Sequence, residues 1–380
     1  MPALWCSPVL ETALVALVLL VAGTACESGP KSPASSPPSA TVAGTDGNRG
    51  SAQEALDAAS APTQPARTEV EEPDTSSAAN KNQGQETLQV PLELALETLY
   101  PGDAEAQKGA LADCPKSTDR ETIRCMVERL FEGDEKAAAY AVELYDRDEI
   151  VSGVEAAYST EVGWRGVIEF VPHLPVGKER QNLQWVAQGF ADIDAVMTPM
   201  AEAGALPYRT RGLTLKFFRS VDRTTPSAYA IDWSVAYNVD GSLFKSEEAV
   251  RETLFHELFH LNDQDHGNWS HQALSTLYEG LMSRCTAKGE KTPSTKCLKP
   301  FAPSKTKVKG GTYYAFTVGN GVHEYAAELA LRYFQEQRAA LLDLKKKPAR
   351  FKCGGEENAE AWDLISKEFF GGVDWVAACE

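Results

Sequence analysis

The sequence predicts an α+β fold in which a small mixed sheet precedes a helix bearing the pattern HExxH, and a mainly helical C-terminal half follows. Three observations carry this expectation. Strand-like residues cluster at 166–174, 213–221 and 228–237, all ahead of the pattern. The pattern itself, His256-Glu257-Leu258-Phe259-His260, sits in a run whose apolar residues recur at helical spacing. Beyond it, residues 270–285, 322–344 and 358–369 repeat that helical spacing.

The elements follow in chain order. Residues 12–22 (TALVALVLLVA) form an apolar run too short to span a bilayer, followed by small residues and Cys26, so 1–25 reads as a secretory signal peptide. The stretch VAGTAC resembles a bacterial lipoprotein box, which implies lipid attachment at Cys26; plain cleavage after Ala25 is the alternative. Either way the chain is expected to be exported, anchored at the membrane or secreted. Residues 26–86 are Ser, Pro, Ala, Thr, Gly and acids with almost no large apolar side chain. Such a segment cannot bury enough surface to offset its ordering entropy, so a disordered stalk is expected there and a folded domain over 87–380.

Within that domain, 119–147 reads as two helices split at Gly133, with Cys125, Met126, Leu130 and Phe131 on a buried stripe. Strand 166–174 leads to a long helix, 179–203, that carries Trp185, Val186, Phe190, Ile193 and Met197 on its core side. Strands 213–221 and 228–237 follow, the second expected to form an edge along which an extended peptide could pair. Lys345-Lys346-Lys347 is the one basic run, and it suits a helix C-terminus stopped by Pro348.

Apart from Cys6 and Cys26, the cysteines are Cys114, Cys125, Cys285, Cys297, Cys353 and Cys379. An even number in an exported chain favours disulfides, and nearest-neighbour pairing is the expectation among the many connectivities six cysteines allow. A formal net charge of −17 argues against nucleic acid and anionic membrane surfaces as partners.

The HExxH helix is expected over 246–265. Ser246 suits its N-cap, and Glu247 and Glu248 put negative charge in its first turn. Val250, Leu254, Leu258 and Leu261 make a core face, while His256 and His260, four apart, project together and can share one metal ion. Glu257 can then reach a zinc-activated water without itself being a ligand.

Two candidates exist for a third ligand. His266 falls where the metzincin pattern HExxHxxGxxH has its last histidine, but Asp263 occupies the glycine position that lets the chain turn back. On a continuing helix His266 lies about 9 Å further along the axis than His260, too far to share a tetrahedral ion. The other candidate is Glu324, which with Glu328 lies on one face of the helix in NGVHEYAAELALRYF, capped at Asn320.

HELFHLND followed by HEYAAEL resembles the gluzincin-type zincins related to anthrax lethal factor, where HExxHxxD precedes an E-(aromatic)-x-A-E helix. The resemblance implies a zincin-like fold, with His256, His260 and Glu324 as Zn2+ ligands and Glu257 as general base. It implies that Glu328 is the second acid of the later motif and that Asp263 supports a ligand. That family's tyrosine falls at Thr317, with Tyr313 and Tyr314 near enough to substitute; Tyr314 is the candidate oxyanion donor. Phe259 stands where such enzymes have a small residue. The implied function is an exported zinc metalloendopeptidase acting on peptide or protein substrates. The alternative is a non-catalytic zincin-fold surface lipoprotein serving as a binding or structural module.

Overall fold

In the computed structural model, residues 89–114, 117–161, 166–204, 206–308, 311–318 and 321–380 are described. The expected signal peptide, the Cys26 anchor, the whole of the expected stalk and the expected Asn320 cap lie outside them. The described chain is mixed α/β, with eleven α-helices and a six-stranded sheet. Helices α1 (Leu92–Leu99), α2 (Ala104–Asp113), α3 (Asp119–Leu130) and α4 (Glu135–Asp148) come first. Asp103, Thr118 and Asp134 each cap the following helix by accepting a backbone N–H. The break at Gly133 is as expected, whereas α1 and α2 are additions to the sequence reading.

Strands β1 (Val151–Val154), β2 (Tyr158–Glu161), β3 (Val167–Pro172), β4 (Thr214–Ser220), β5 (Ala228–Ile231) and β6 (Ser234–Asn238) form one mixed sheet. β4 is its spine. β6 runs parallel along one edge, and β1 (parallel) and β3 (antiparallel) share successive stretches of the other. The expected single strand over 228–237 is corrected to a hairpin: Asp232 and Trp233 both take positive φ (47° and 54°) and reverse the chain. The Arg209 guanidinium lies 3.6 Å over the Trp233 ring and holds that turn. β5 is consequently the outer strand.

Helix α5 (Arg180–Ala203) crosses α6 (Glu247–Asp265) at the centre of the core. Gly189 makes the crossing close: a Cβ there would stand 3.2 Å from Leu254 Cδ1 and 3.3 Å from Arg251 Cα. Behind that contact Asp192 on α5 joins three helices, because its Oδ2 accepts from Arg251 Nη1 (2.8 Å) and from Arg338 Nη2 (3.3 Å).

Past α6 come α7 (Trp269–Ala273), α8 (Ser275–Cys285), α9 (Thr295–Leu298), α10 (Gly321–Leu341) and α11 (Glu356–Phe369). The single helix expected over 270–285 is broken at Leu274, between α7 and α8. The expected 322–344 helix stops at Leu341, and Asp343 at φ 44° turns the chain before the basic run, so those lysines do not end it. Disulfides join Cys114 to Cys125, Cys285 to Cys297 and Cys353 to Cys379, the nearest-neighbour set. The last of them ties down a C-terminal tail in which Asp374 accepts from Gln337 (2.8 Å), Lys352 (2.7 Å) and the Trp362 indole (2.9 Å).

Replacing Asp192 strands a guanidinium whose side chain is only 8 % exposed. Asp192→Ala is expected to cost on the order of 2–4 kcal/mol, less than a fully buried pair because Asp192 keeps some solvent contact. Urea unfolding measures it, with Lys347→Ala as an exposed control expected to stay within about 0.5 kcal/mol of the parent.

Candidate metal centre

α6 starts where expected: the Ser246 hydroxyl accepts from Ala249 N–H at 3.2 Å. Its core residues Val250, Leu254, Phe255, Leu258, Phe259 and Leu261 are at most 2 % exposed. Phe259 belongs to this core, edge-on to Phe369 at 5.0 Å between centroids. α10 packs beside the histidine-bearing side of the helix, which opens onto a cleft rather than onto free solvent. The site therefore forms between two helices rather than on one.

There the donors converge. His256 Nε2 lies 3.1 Å from His260 Nε2 and 3.1 Å from Glu324 Oε2, and His260 Nε2 lies 3.7 Å from that same oxygen. One donor atom from each residue thus falls within 4.8 Å of the others, a grouping that could hold a metal ion. Atoms about 2.1 Å from a tetrahedral ion stand about 3.4 Å apart, so the triangle has the right size. Two imidazoles and a carboxylate also leave a fourth position open for water or substrate.

The alternative ligand is elsewhere. His266 is the C-cap of α6, its Nδ1 2.7 Å from Glu368 Oε1 and its ring packed on Phe369. The chain first takes positive φ at Gly267 (72°), one residue too late to swing His266 back. Asp263 does not support a ligand as the resemblance implies. Its two oxygens accept from Ser270 N–H (2.7 Å) and the Ser270 hydroxyl (2.6 Å), fastening the start of α7. The acid that faces His256 from behind is Glu328, with Oε1 3.5 Å from His256 Nδ1.

Without a cation this cluster is electrostatically loaded. Burial disfavours the charged His256 ring, but the Glu324 hydrogen bond and the charges of Glu324, Glu328 and Glu257 overrule it and push the ring up to about 9. Burial likewise opposes the charge on Glu324, yet hydrogen bonds from His256 and His260 hold its carboxyl well below the usual range. Glu257 has no such partners. Burial raises its carboxyl, with His256 and His260 pulling the other way.

Tyr314, in a 3-10 turn spanning Tyr314–Phe316, brings its ring to 6.1 Å from that of His256. Burial first, then the charges of Glu324 and Glu257, keeps its hydroxyl protonated far above the ordinary range. Tyr314 lines the cleft and Tyr313 does not, while the Thr317 hydroxyl turns back to the Tyr313 carbonyl.

The surrounding cleft has a volume of about 550 Å³ and also takes in Ala228, Tyr229 and Ala230 of β5. Asn262 sets that strand against α6: it accepts from Arg209 N–H (2.7 Å) and donates to the Arg209 carbonyl (2.9 Å), and Arg209 is the residue stacked on the hairpin turn. Three lining residues were not anticipated. His323 stands 5.7 Å from the His260 ring and 6.1 Å from that of His271, and Glu252 lies one turn before His256. For Glu252 the signal was its i−4 spacing from His256, and for His323 its place beside Glu324. Nothing local marks His271. Comparisons with protein-family models, curated proteins and solved structures find no match to this chain.

Metal content after dialysis tests the donor set. His256→Ala, His260→Ala and Glu324→Ala are each expected to weaken binding beyond the ~10- to 100-fold that losing a supporting residue costs, Glu328→Gln within that range, and His266→Ala not at all. Metal should also raise the unfolding temperature of the parent, since it binds only the folded arrangement.

Proposed function

We propose that this protein is a zinc-dependent metallopeptidase in which His256, His260 and Glu324 hold the ion and Glu257 is the general base. The observation that carries the reading is the convergence of Glu324 Oε2 on two histidine Nε2 atoms, with buried Glu257 lining the same cleft. Bound there, zinc supplies Lewis acidity that lowers the pKa of a water and polarises a carbonyl.

The chain's own residues do the rest. Burial raises the Glu257 carboxyl towards the range where it can both take a proton from the attacking water and return it to the leaving amine nitrogen. Tyr314 keeps its phenolic proton, so it donates a hydrogen bond as negative charge develops on the carbonyl oxygen. Among the described residues no strand pairs with the outer edge of β5, whose residues line the cleft. An extended peptide added to that edge passes the catalytic groups, which makes a peptide or protein the substrate class. The three disulfides suit an oxidising compartment, and we place the enzyme outside the cytoplasm.

Cleavage of a broad peptide library tests the proposal. Glu257→Gln is expected to lower kcat by about 10²–10⁴ with zinc content unchanged, and Tyr314→Phe by about 10² or more. A zinc-replete parent that cleaves nothing would leave a binding module as the better reading.

A further inference from the structure

The cleft is polarised along its length. α6 and α10 run antiparallel: His256 meets Glu324 and Glu328, and one turn back Glu252 accepts from Gln335 further along α10 at 2.7 Å. The cleft lining therefore has Ala249, Glu252, Thr253, Glu328 and Leu331 at one end and Gln264, Asn268, His271 and His323 at the other.

The first end carries two carboxylates that make no ion pair with a lysine or arginine among the described residues. Burial outweighs the partial help Glu252 has from Gln335 and Arg251 and Glu328 has from His256 and Ser304. Arg251, beside Glu252 in sequence, pairs with Asp192 at 2.8 Å and with Glu248 at 3.7 Å, and eases Glu252 only through its field. Lys307 reaches the cleft with its ammonium 5.0 Å over the Tyr313 ring, and it makes no ion pair with either acid. Glu328 is only 6 % exposed. Its Oε1 faces His256, and Ser304 lies near enough to ease its charge, yet its buried Oε2 has no hydrogen-bond partner. Glu328 lines the cleft, and a buried carboxylate oxygen without a donor there is one that a group entering the cleft would satisfy as the side chain adjusts.

We infer that this end of the cleft takes a lysine or arginine side chain of the substrate, with Glu252 as its counter-charge and Glu328 Oε2 as a second acceptor. An ammonium or guanidinium supplies the missing N–H groups, and its alkyl stem packs on Ala249, Thr253 and Leu331. Glu252 stands one helical turn, about 5.4 Å, from His256, so the basic residue sits at or next to the scissile bond. The inference deepens the peptidase reading and rests on it.

The test uses zinc-loaded Glu257→Gln protein and matched peptides carrying lysine, arginine, norleucine or glutamate at the positions flanking one bond. Fluorescence anisotropy should show lysine and arginine peptides binding about 10- to 100-fold tighter than norleucine, as charge-assisted hydrogen bonds give. Adding Glu252→Gln should bring them to parity. Equal binding of lysine and norleucine peptides, no binding of any, or a preference that survives Glu252→Gln overturns the inference. The parent's cleavage profile separates the two claims: hydrolysis without a basic preference sinks this subsite alone. No hydrolysis together with Glu252-dependent binding sinks the peptidase reading and keeps the subsite.

Discussion

Burying charge between α6 and α10 is the constraint around which this structure is arranged. His256, Glu257, Glu324 and Glu328 are each no more than 8 % exposed, and acids outnumber imidazoles even when His260 is counted. Taking such groups out of water costs several kcal/mol apiece unless each finds a partner. Shared protons between His256, His260 and Glu324 offset part of that cost, and a divalent cation would offset more. The remainder has to come from apolar packing, which explains why α6 is wrapped on its other sides by aromatic and aliphatic residues with almost no exposure. A peripheral amphipathic helix would let water in and dissolve the arrangement.

Much of this was legible in the sequence, for identifiable reasons. α6 announced itself through the Ser246 cap, and α5 through the spacing of Val186, Phe190, Ile193 and Met197. The juxtaposition of His256 and His260 followed from i, i+4 spacing, and Glu324 was marked by its place in a second acid-bearing helix. What escaped notice lacked a local signature. The β5–β6 reversal uses Asp232-Trp233, a pair with no glycine to mark positive φ, and Arg209 stacks upon the tryptophan there. β1 and β2 are four residues each, too short for alternation to show. Asp263 looked like an accessory to the ligands because it follows them in sequence; Ser270 claims it through a turn that only the folded chain reveals. His271 joins the cleft by the same kind of tertiary route.

The close crossing of α5 and α6 links distant parts of the chain. At Gly189 an added methyl would demand that α6 give way by a few tenths of an ångström. Metal sites tolerate only about 0.2 Å of error in their bond lengths. α6 carries both histidines while Glu324 rides on α10, so such a displacement would shear the donor triangle rather than translate it. An ion held by that triangle would make its own affinity a ruler for helix packing. Selection for metal would hold fixed a residue that touches neither ion nor peptide, and Gly189 would be preserved for where it lets other side chains stand.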